Sequence, residues 1–363
     1  MTNGKKKLNV ALIGSGFMGA AHSNAFCQVG HFFDTSFDLR LKVICARDRG
    51  RLDAAAARWG WEETETDWRK AVTRPDIQVV DVAVPNAMHA PIARAAAEAG
   101  KIVLCEKPLA TSLPEAEEMA NAARNVPNLV WFNYRRVPAV VFAKQLLSEG
   151  TLGRIFHFRA TYLNASGNDP AKIHAWRYQR ADAGSGASGD LLSHSIDTAF
   201  YLNGPITELV AMNQVFMPDR EVDDATALLV RFANGSTGTL EATRFGIGVR
   251  NRNAFEMNCE GGMLRFDLED MNYLDYNDTR EPANVQGSRH ILVTGPNHPY
   301  SSNFWKPGHA LGYEHTFIAT LGDFLTALSK DEVFHPNFDD ALAVQRVLDA
   351  AERSAATRTW VSL

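Results

Sequence analysis

The chain begins as short apolar runs separated by longer stretches in which apolar residues recur every three or four positions. Residues 8–13, 41–46, 79–84, 102–105 and 129–132 are runs of strand length, and residues 51–59, 91–99 and 114–123 have helical spacing. Continuous apolar strands alternating with such helices predict a parallel sheet covered on both faces and joined by right-handed crossovers. Pro91, after a turn at Asn86, and Pro114 with Glu115 stand where helix starts are expected. Residues 31–38, rich in Phe, read as an insertion before the second strand.

After a helical stretch at 138–149 the apolar period shortens to two. Residues 154–163, 208–216, 225–232, 237–243, 254–259 and 263–266 follow one another as strands, with Asn234-Gly235 and Gly261-Gly262 as turn signals. One helix, near 190–202, interrupts the series. Residues 276–309 are polar and rich in Pro, Gly and Asn and read as a long loop, after which 313–328 and 339–354 are helical. The expected class is α/β: a doubly wound parallel sheet over 1–135, then an α+β domain with a mostly antiparallel sheet over 136–363. Leu228-Leu229-Val230, Leu240 and Phe255-Glu256-Met257 supply more apolar strand surface than so few helices cover, so a homodimer or homotetramer is expected.

Composition narrows the function. A content of 45% hydrophobic and 22% charged residues excludes a disordered chain, and 363 residues suffice for two cores. The 37 basic and 42 acidic residues are spread evenly, which excludes a nucleic-acid or membrane-surface footprint and leaves small metabolites as partners. Cys27, Cys45, Cys105 and Cys259 lack metal-ligand spacing and read as buried thiols of a cytoplasmic enzyme. Lys5-Lys6-Lys7 before an apolar run imitates a leader, but the run is only strand-length and cleavage would remove the loop described next. No run approaches a membrane span.

That loop is Gly14-Ser15-Gly16-Phe17-Met18-Gly19, a G-x-G-x-x-G between a strand and a helix. The first glycine permits the tight turn, the second lets backbone approach a pyrophosphate, and the third packs helix on strand, so a dinucleotide is the expected cofactor. At the end of the second strand Ala46 stands where an acid would grip the ribose hydroxyls, followed by Arg47, Asp48 and Arg51; the arginines lean toward NADP, and Asp48 keeps NAD open. Pro85 and Asn86 end another strand beside the cofactor, with His89 either contacting it or packing locally. Glu106-Lys107-Pro108 delivers a lysine to a strand end, where ligands bind in such sheets. Asp190 and His194 share a helix face. By spacing alone they are a helix cap and a core histidine, but a mobile, small-residue approach, residues 183–189, and Trp176-Arg177 upstream favour a site. His174, His309 and His315 have no metal spacing, so no metal is expected and activation of a hydroxyl falls to side chains.

At these residues the chain resembles the glucose-fructose oxidoreductase, inositol dehydrogenase and rhizopine catabolism family (Gfo/Idh/MocA). The resemblance spans the glycine loop, Val84-Pro85-Asn86-Ala87-Met88-His89, Glu106-Lys107-Pro108, Asn133-Tyr134-Arg135-Arg136-Val137-Pro138, Trp176-Arg177, and Asp190 with His194. It implies a Rossmann domain followed by an open-faced sheet that forms the substrate wall and the oligomer contact. It further implies that Gly14, Gly16, Phe17, Met18, Gly19, Ala46, Arg47, Asp48, Arg51, Pro85, Asn86, His89, Glu106, Lys107, Asn133, Trp176 and Arg177 surround NAD or NADP. Lys107, Asp190 and His194 become the catalytic group of a sugar or polyol dehydrogenase, with Tyr162, His174, Arg177 and Asp190 toward the substrate. Residues 175–178 and 184–187 look most like members acting on pyranoses, anhydrosugars such as levoglucosan, or inositols. Ala46 and Leu192 depart from the common pattern, which has an acid and a glycine there.

The expected reaction is oxidation of a secondary alcohol. His194 takes the hydroxyl proton as hydride leaves carbon, Lys107 stabilises charge on the oxygen, and Asp190 positions the substrate. Two alternatives stand: an NAD-dependent glycosidase that oxidises its sugar transiently, and a sensor that binds nucleotide and sugar without turnover.

Overall fold

The computed structural model describes residues 4–169 and 175–363. They divide into two units: residues 4–133 with Tyr313–Ala343, and residues 134–312 with Val344–Leu363.

In the first unit β1 (Lys6–Ile13), α1 (Phe17–Phe32), β2 (Phe37–Cys45), α2 (Arg49–Trp59), β3 (Glu63–Glu65), α3 (Trp68–Val72), β4 (Val79–Val82), α4 (His89–Glu98), β5 (Ile102–Cys105), α5 (Leu113–Ala123) and β6 (Asn128–Val130) succeed one another. The strands are all parallel, in the order β3-β2-β1-β4-β5-β6. Their direction of winding reverses between β1 and β4, the switch point at which open α/β sheets bind ligands. β4 and β5 read as unbroken apolar runs because helices cover both faces; Asp81 is the polar exception, fully buried in β4. Two expectations need correction. Residues 31–38 hold no inserted element, since α1 runs to Phe32 and β2 starts at Phe37. The helix Tyr313–Ser329, assigned to the second domain from its position in the chain, belongs to the first unit, where it packs on α1.

The second unit contains α6 (Pro138–Ser148), β7 (Ile155–Leu163), α7 (Arg180–Ala183), α8 (Ser193–Asn203), β8 (Ile206–Gln214), β9 (Ala225–Phe232), β10 (Thr237–Thr243), β11 (Arg252–Cys259), β12 (Gly262–Asp267), β13 (Tyr273–Asp278) and β14 (Arg289–Leu292). After α9, the helix just described, and α10 (Phe338–Thr357), a short β15 (Val361–Ser362) ends the chain. The nine strands form one sheet, β14-β13-β12-β11-β7-β10-β9-β8-β15, antiparallel except where β7 meets β10. The long loop expected at 276–309 is partly wrong: β13 and β14 pair there, Tyr273 opposite Leu292 and Tyr276 opposite Arg289. Their polar composition hid them because half of each strand faces away from the core.

α6 and α8 cover one face of this sheet. Phe158, Leu228, Val230, Leu240, Phe255 and Met257 are buried on the covered side, so most residues expected to form an apolar outer face do not. Strand register instead runs one row across the open face: Val210, Leu229, Thr239, Arg159, Glu256, Arg265, Asp275 and His290. Its β8–β9 end is apolar, with Leu229 exposed and Met212 exposed two residues beyond Val210 on the same face, and its other end alternates charge across strands. No helix among the described residues is long and apolar enough to cross a membrane.

Candidate active site

The glycine loop joins β1 to α1 at the switch point. Gly14 has φ +119°, and a Cβ there would lie 2.0 Å from the carbonyl oxygen of Ala83. A Cβ on Gly19 would meet the Gly14 carbonyl oxygen at 2.2 Å, so both glycines are required by close backbone approach. Gly16 differs: a Cβ there meets nothing within 4 Å, and Gly16 caps α1 without a side-chain hydrogen bond. Open space therefore lies beside Gly16 at the N-terminus of α1, which suits a pyrophosphate. Phe17 is exposed and stacks on Tyr313, while Met18 is half-buried.

At the end of β2 Ala46 is half-buried, and Arg47, Asp48 and Arg51 are exposed. The Asp48 carboxylate accepts the Arg51 backbone N–H at 3.1 Å and caps α2, and the Arg51 Nε lies 3.5 Å from its other oxygen. One acid and one arginine of this group thus already engage each other.

The turns after β4 and β5 are held from beneath. Pro85 opens a short 3₁₀ turn, Asn86–Met88, in which Asn86 is buried. His89, grouped with the cofactor residues from sequence, is fully buried, its ring nitrogens 3.0 Å from the carbonyl oxygens of Val84 and Pro108. It shapes both turns from inside and presents no surface. Glu106, also grouped there, is likewise buried and faces His22 and the Lys107 backbone N–H. Lys107 is half-buried and precedes a cis peptide to Pro108. Asn133, buried, donates to the Thr316 hydroxyl at 2.8 Å.

In the second unit Asp190 lies on a π-helical turn, Ser188–Leu192, and His194 on the first turn of α8 that continues it. π turns recur at functional sites. The approach to this turn is clamped, contrary to the mobile segment expected. Asp223 accepts the backbone N–H groups of Gly186 and Ser188 at 2.8 and 2.7 Å and the Ser188 hydroxyl at 2.8 Å. A Cβ on Gly186 would lie 1.7 Å from the Asp223 carbonyl oxygen.

His194 stands against two tyrosines, its ring centre 4.7 Å from that of Tyr134 and 5.7 Å from that of Tyr162. Their hydroxyls meet at 3.1 Å. One turn along α8 the buried Asp197 takes three hydrogen bonds from Arg135, two from Nε and one from Nη2, the shortest 2.6 Å, which fixes the helix that carries His194. Asp190 accepts from Arg244 at 3.1 Å, and the same guanidinium donates to the Arg177 carbonyl oxygen at 3.2 Å and lies over the Tyr178 ring. Trp176 and Arg177 form a 3₁₀ turn, with the Arg177 guanidinium over the Trp176 ring. His174 lies outside the described residues.

Arg244, Asp223, Tyr134 and His22 escaped the sequence reading as site residues. Each is buried and acts on a residue remote in sequence, which no local pattern reveals. Among the described residues no three His, Cys, Asp or Glu side chains group as metal ligands would.

A parallel sheet with a glycine loop at its switch point, joined to a sheet-and-helix unit that presents an acid and a histidine, defines a two-domain dinucleotide-dependent oxidoreductase. Residues 8–134 match the oxidoreductase family with an NAD-binding Rossmann fold, and residues 140–265 match the GFO/IDH/MocA C-terminal domain; the chain belongs to this family. It is 39% identical to levoglucosan dehydrogenase of Pseudarthrobacter phenanthrenivorans over 99% of this chain and 98% of that protein. A levoglucosan dehydrogenase structure in complex with NADH and levoglucosan superposes with a TM-score of 0.96 at 40% identity, covering 99% of each chain. An oxidoreductase domain protein from Kribbella flavida gives 0.95 at 44% identity, covering 98% of this chain and 99% of that one.

Proposed function

We propose that this enzyme oxidises a secondary hydroxyl of a pyranose-derived anhydrosugar of the levoglucosan kind, with NAD as acceptor. The observation that carries this reading is the full-length likeness to levoglucosan dehydrogenase in a chain that has Lys107, Asp190 and His194 in place. The likeness to scyllo-inositol 2-dehydrogenase of Bacillus subtilis is weaker, 27% identity over 56% of this chain, which favours the anhydrosugar over the inositol. NAD is preferred to NADP because Asp48 supplies an acceptor carboxylate after β2 and already engages Arg51, and because the levoglucosan dehydrogenase complexes contain NADH.

A bound nicotinamide would supply the hydride acceptor, and the first turn of α1 beside Gly16 would hold the pyrophosphate, with Gly14 and Gly19 shaping the loop. Lys107 donates to the reacting oxygen and stabilises charge that develops on it, and His194 removes the hydroxyl proton. The Tyr134 and Tyr162 rings hold His194 in one orientation, and Asp190, oriented by its hydrogen bond from Arg244, accepts a neighbouring sugar hydroxyl. The protein works in the cytoplasm, where its four thiols stay reduced, and as a homodimer or homotetramer through the open face of its large sheet.

The substrate class is tested by kcat/KM with NAD over levoglucosan, free pyranoses and inositols. Levoglucosan ranking first by tenfold or more supports the reading; an inositol ranking first overturns it.

A further inference from the structure

Beneath the glycine loop a line of buried polar groups crosses the first unit. The Trp131 indole N–H donates to Asp81 Oδ1 at 3.0 Å, Asp81 Oδ2 meets His22 Nδ1 at 2.8 Å, His22 Nε2 meets Glu106 Oε1 at 3.0 Å, and Glu106 Oε2 accepts the Lys107 backbone N–H at 3.2 Å. We propose that His22 is a positioning residue for Lys107, its imidazolium locking the Glu106 carboxylate that fixes the backbone of the Glu106-Lys107-Pro108 turn. The proposal rests on the role given to Lys107 above.

Three observations support it. Both ring nitrogens of His22 face carboxylate oxygens, and a neutral imidazole has one N–H, so with both carboxylates ionised only the cation donates to each. The groups around the ring agree: Asp81 from β4, Glu106 after β5, the Trp131 ring stacked 4.3 Å away, and Phe317 from α9 at 5.6 Å. Burial alone would push its pKa down, but the charge of Asp81 and hydrogen bonds to Asp81 and Glu106 outweigh burial and push it up to about 9. Second, the turn is pinned on both sides of Lys107, since His89 holds the Pro108 carbonyl oxygen. Third, three buried charges are a poor way to stabilise a core, because apolar packing of equal volume is often as stable. A network that fixes one backbone geometry gives them a use.

The test is steady-state kinetics with NADH titrations on His22→Gln, Glu106→Gln, Lys107→Ala and the His22→Gln/Lys107→Ala pair. A displacement of about 1 Å in a reacting group costs up to about 10²-fold. We expect His22→Gln and Glu106→Gln each to lower kcat at least about tenfold, while sugar KM and NADH affinity stay within about threefold. The double variant should be no slower than Lys107→Ala alone, because His22 acts through Lys107. Glu106→Gln preserves shape and keeps the test valid if His22→Gln does not fold. Normal kcat in the folded glutamine variants, or losses that multiply in the double variant, would overturn the proposal. Full activity of Lys107→Ala would instead overturn the role of Lys107, and the proposal with it.

Discussion

The Arg244 guanidinium is 1% exposed and lies 3.1 Å from the Asp190 carboxylate, which is itself 28% exposed. The buried guanidinium thus orients a carboxylate that keeps part of its surface exposed. This geometry supports the role proposed for Asp190, accepting hydrogen bonds from sugar hydroxyls.

Arg244→Met removes the cation and leaves a comparable volume. We expect kcat/KM to fall about 10- to 10²-fold, chiefly through a higher sugar KM, because Asp190 loses the charge-assisted hydrogen bond that orients it, typically about 1.5–3 kcal/mol. NADH affinity should be unchanged by isothermal titration. A loss confined to kcat would assign Asp190 to proton transfer instead.

Lys107→Ala and His194→Ala should each reduce kcat by about 10² to 10⁴, the usual contribution of an acid-base group, with NADH binding preserved. Either variant turning over at near-normal rate would remove that residue from the chemistry.

The candidate residues Lys107, Asp190 and His194 stand out in the sequence because each sits next to a local signal: Lys107 at the end of an apolar run, Asp190 and His194 four apart after a small-residue stretch. Their supports do not. Asp81 looks like one polar interruption in Val79–Val82, and its partner His22 is 59 positions away. The β13–β14 hairpin was missed because alternation in Tyr273–Asp278 places Asp275 and Asn277 on the open face, and such residues read as loop. The return of α9 to the first unit rests on contacts no spacing encodes; a Cβ on Gly322 would lie 2.4 Å from the Phe33 ring, so the two segments touch at a glycine.

His22 gives stability a pH dependence of known sign. Its pKa rises from the ordinary 6.5 to about 9 in the folded protein, so its contribution is fully present below pH 6.5 and is lost as pH climbs through about 9. Urea unfolding of the wild type should show stability falling across that window, and His22→Gln should show a smaller fall. Equal pH slopes for the two proteins would mean that His22 is neutral when folded.

Met212 and Leu229 are 65% and 52% exposed on the open sheet face, near Val210 in the same pair of strands. Exposed apolar strand surface of this kind usually marks an interface. Light scattering should give the wild type a mass at least twice 40.0 kDa, and Met212→Glu with Leu229→Glu should shift it toward 40.0 kDa. A monomeric wild type would contradict this use of the face.

Hydride transfer from a sugar carbon is tested most directly with uniformly deuterated levoglucosan and NAD. We expect absorbance at 340 nm to rise, one deuterium to appear at nicotinamide C4 per keto-sugar formed, and a primary isotope effect wherever hydride transfer limits the rate. Ring-opened or hydrolysed sugar without accumulation of labelled NADH would contradict net oxidation and point to transient oxidation in the service of bond cleavage.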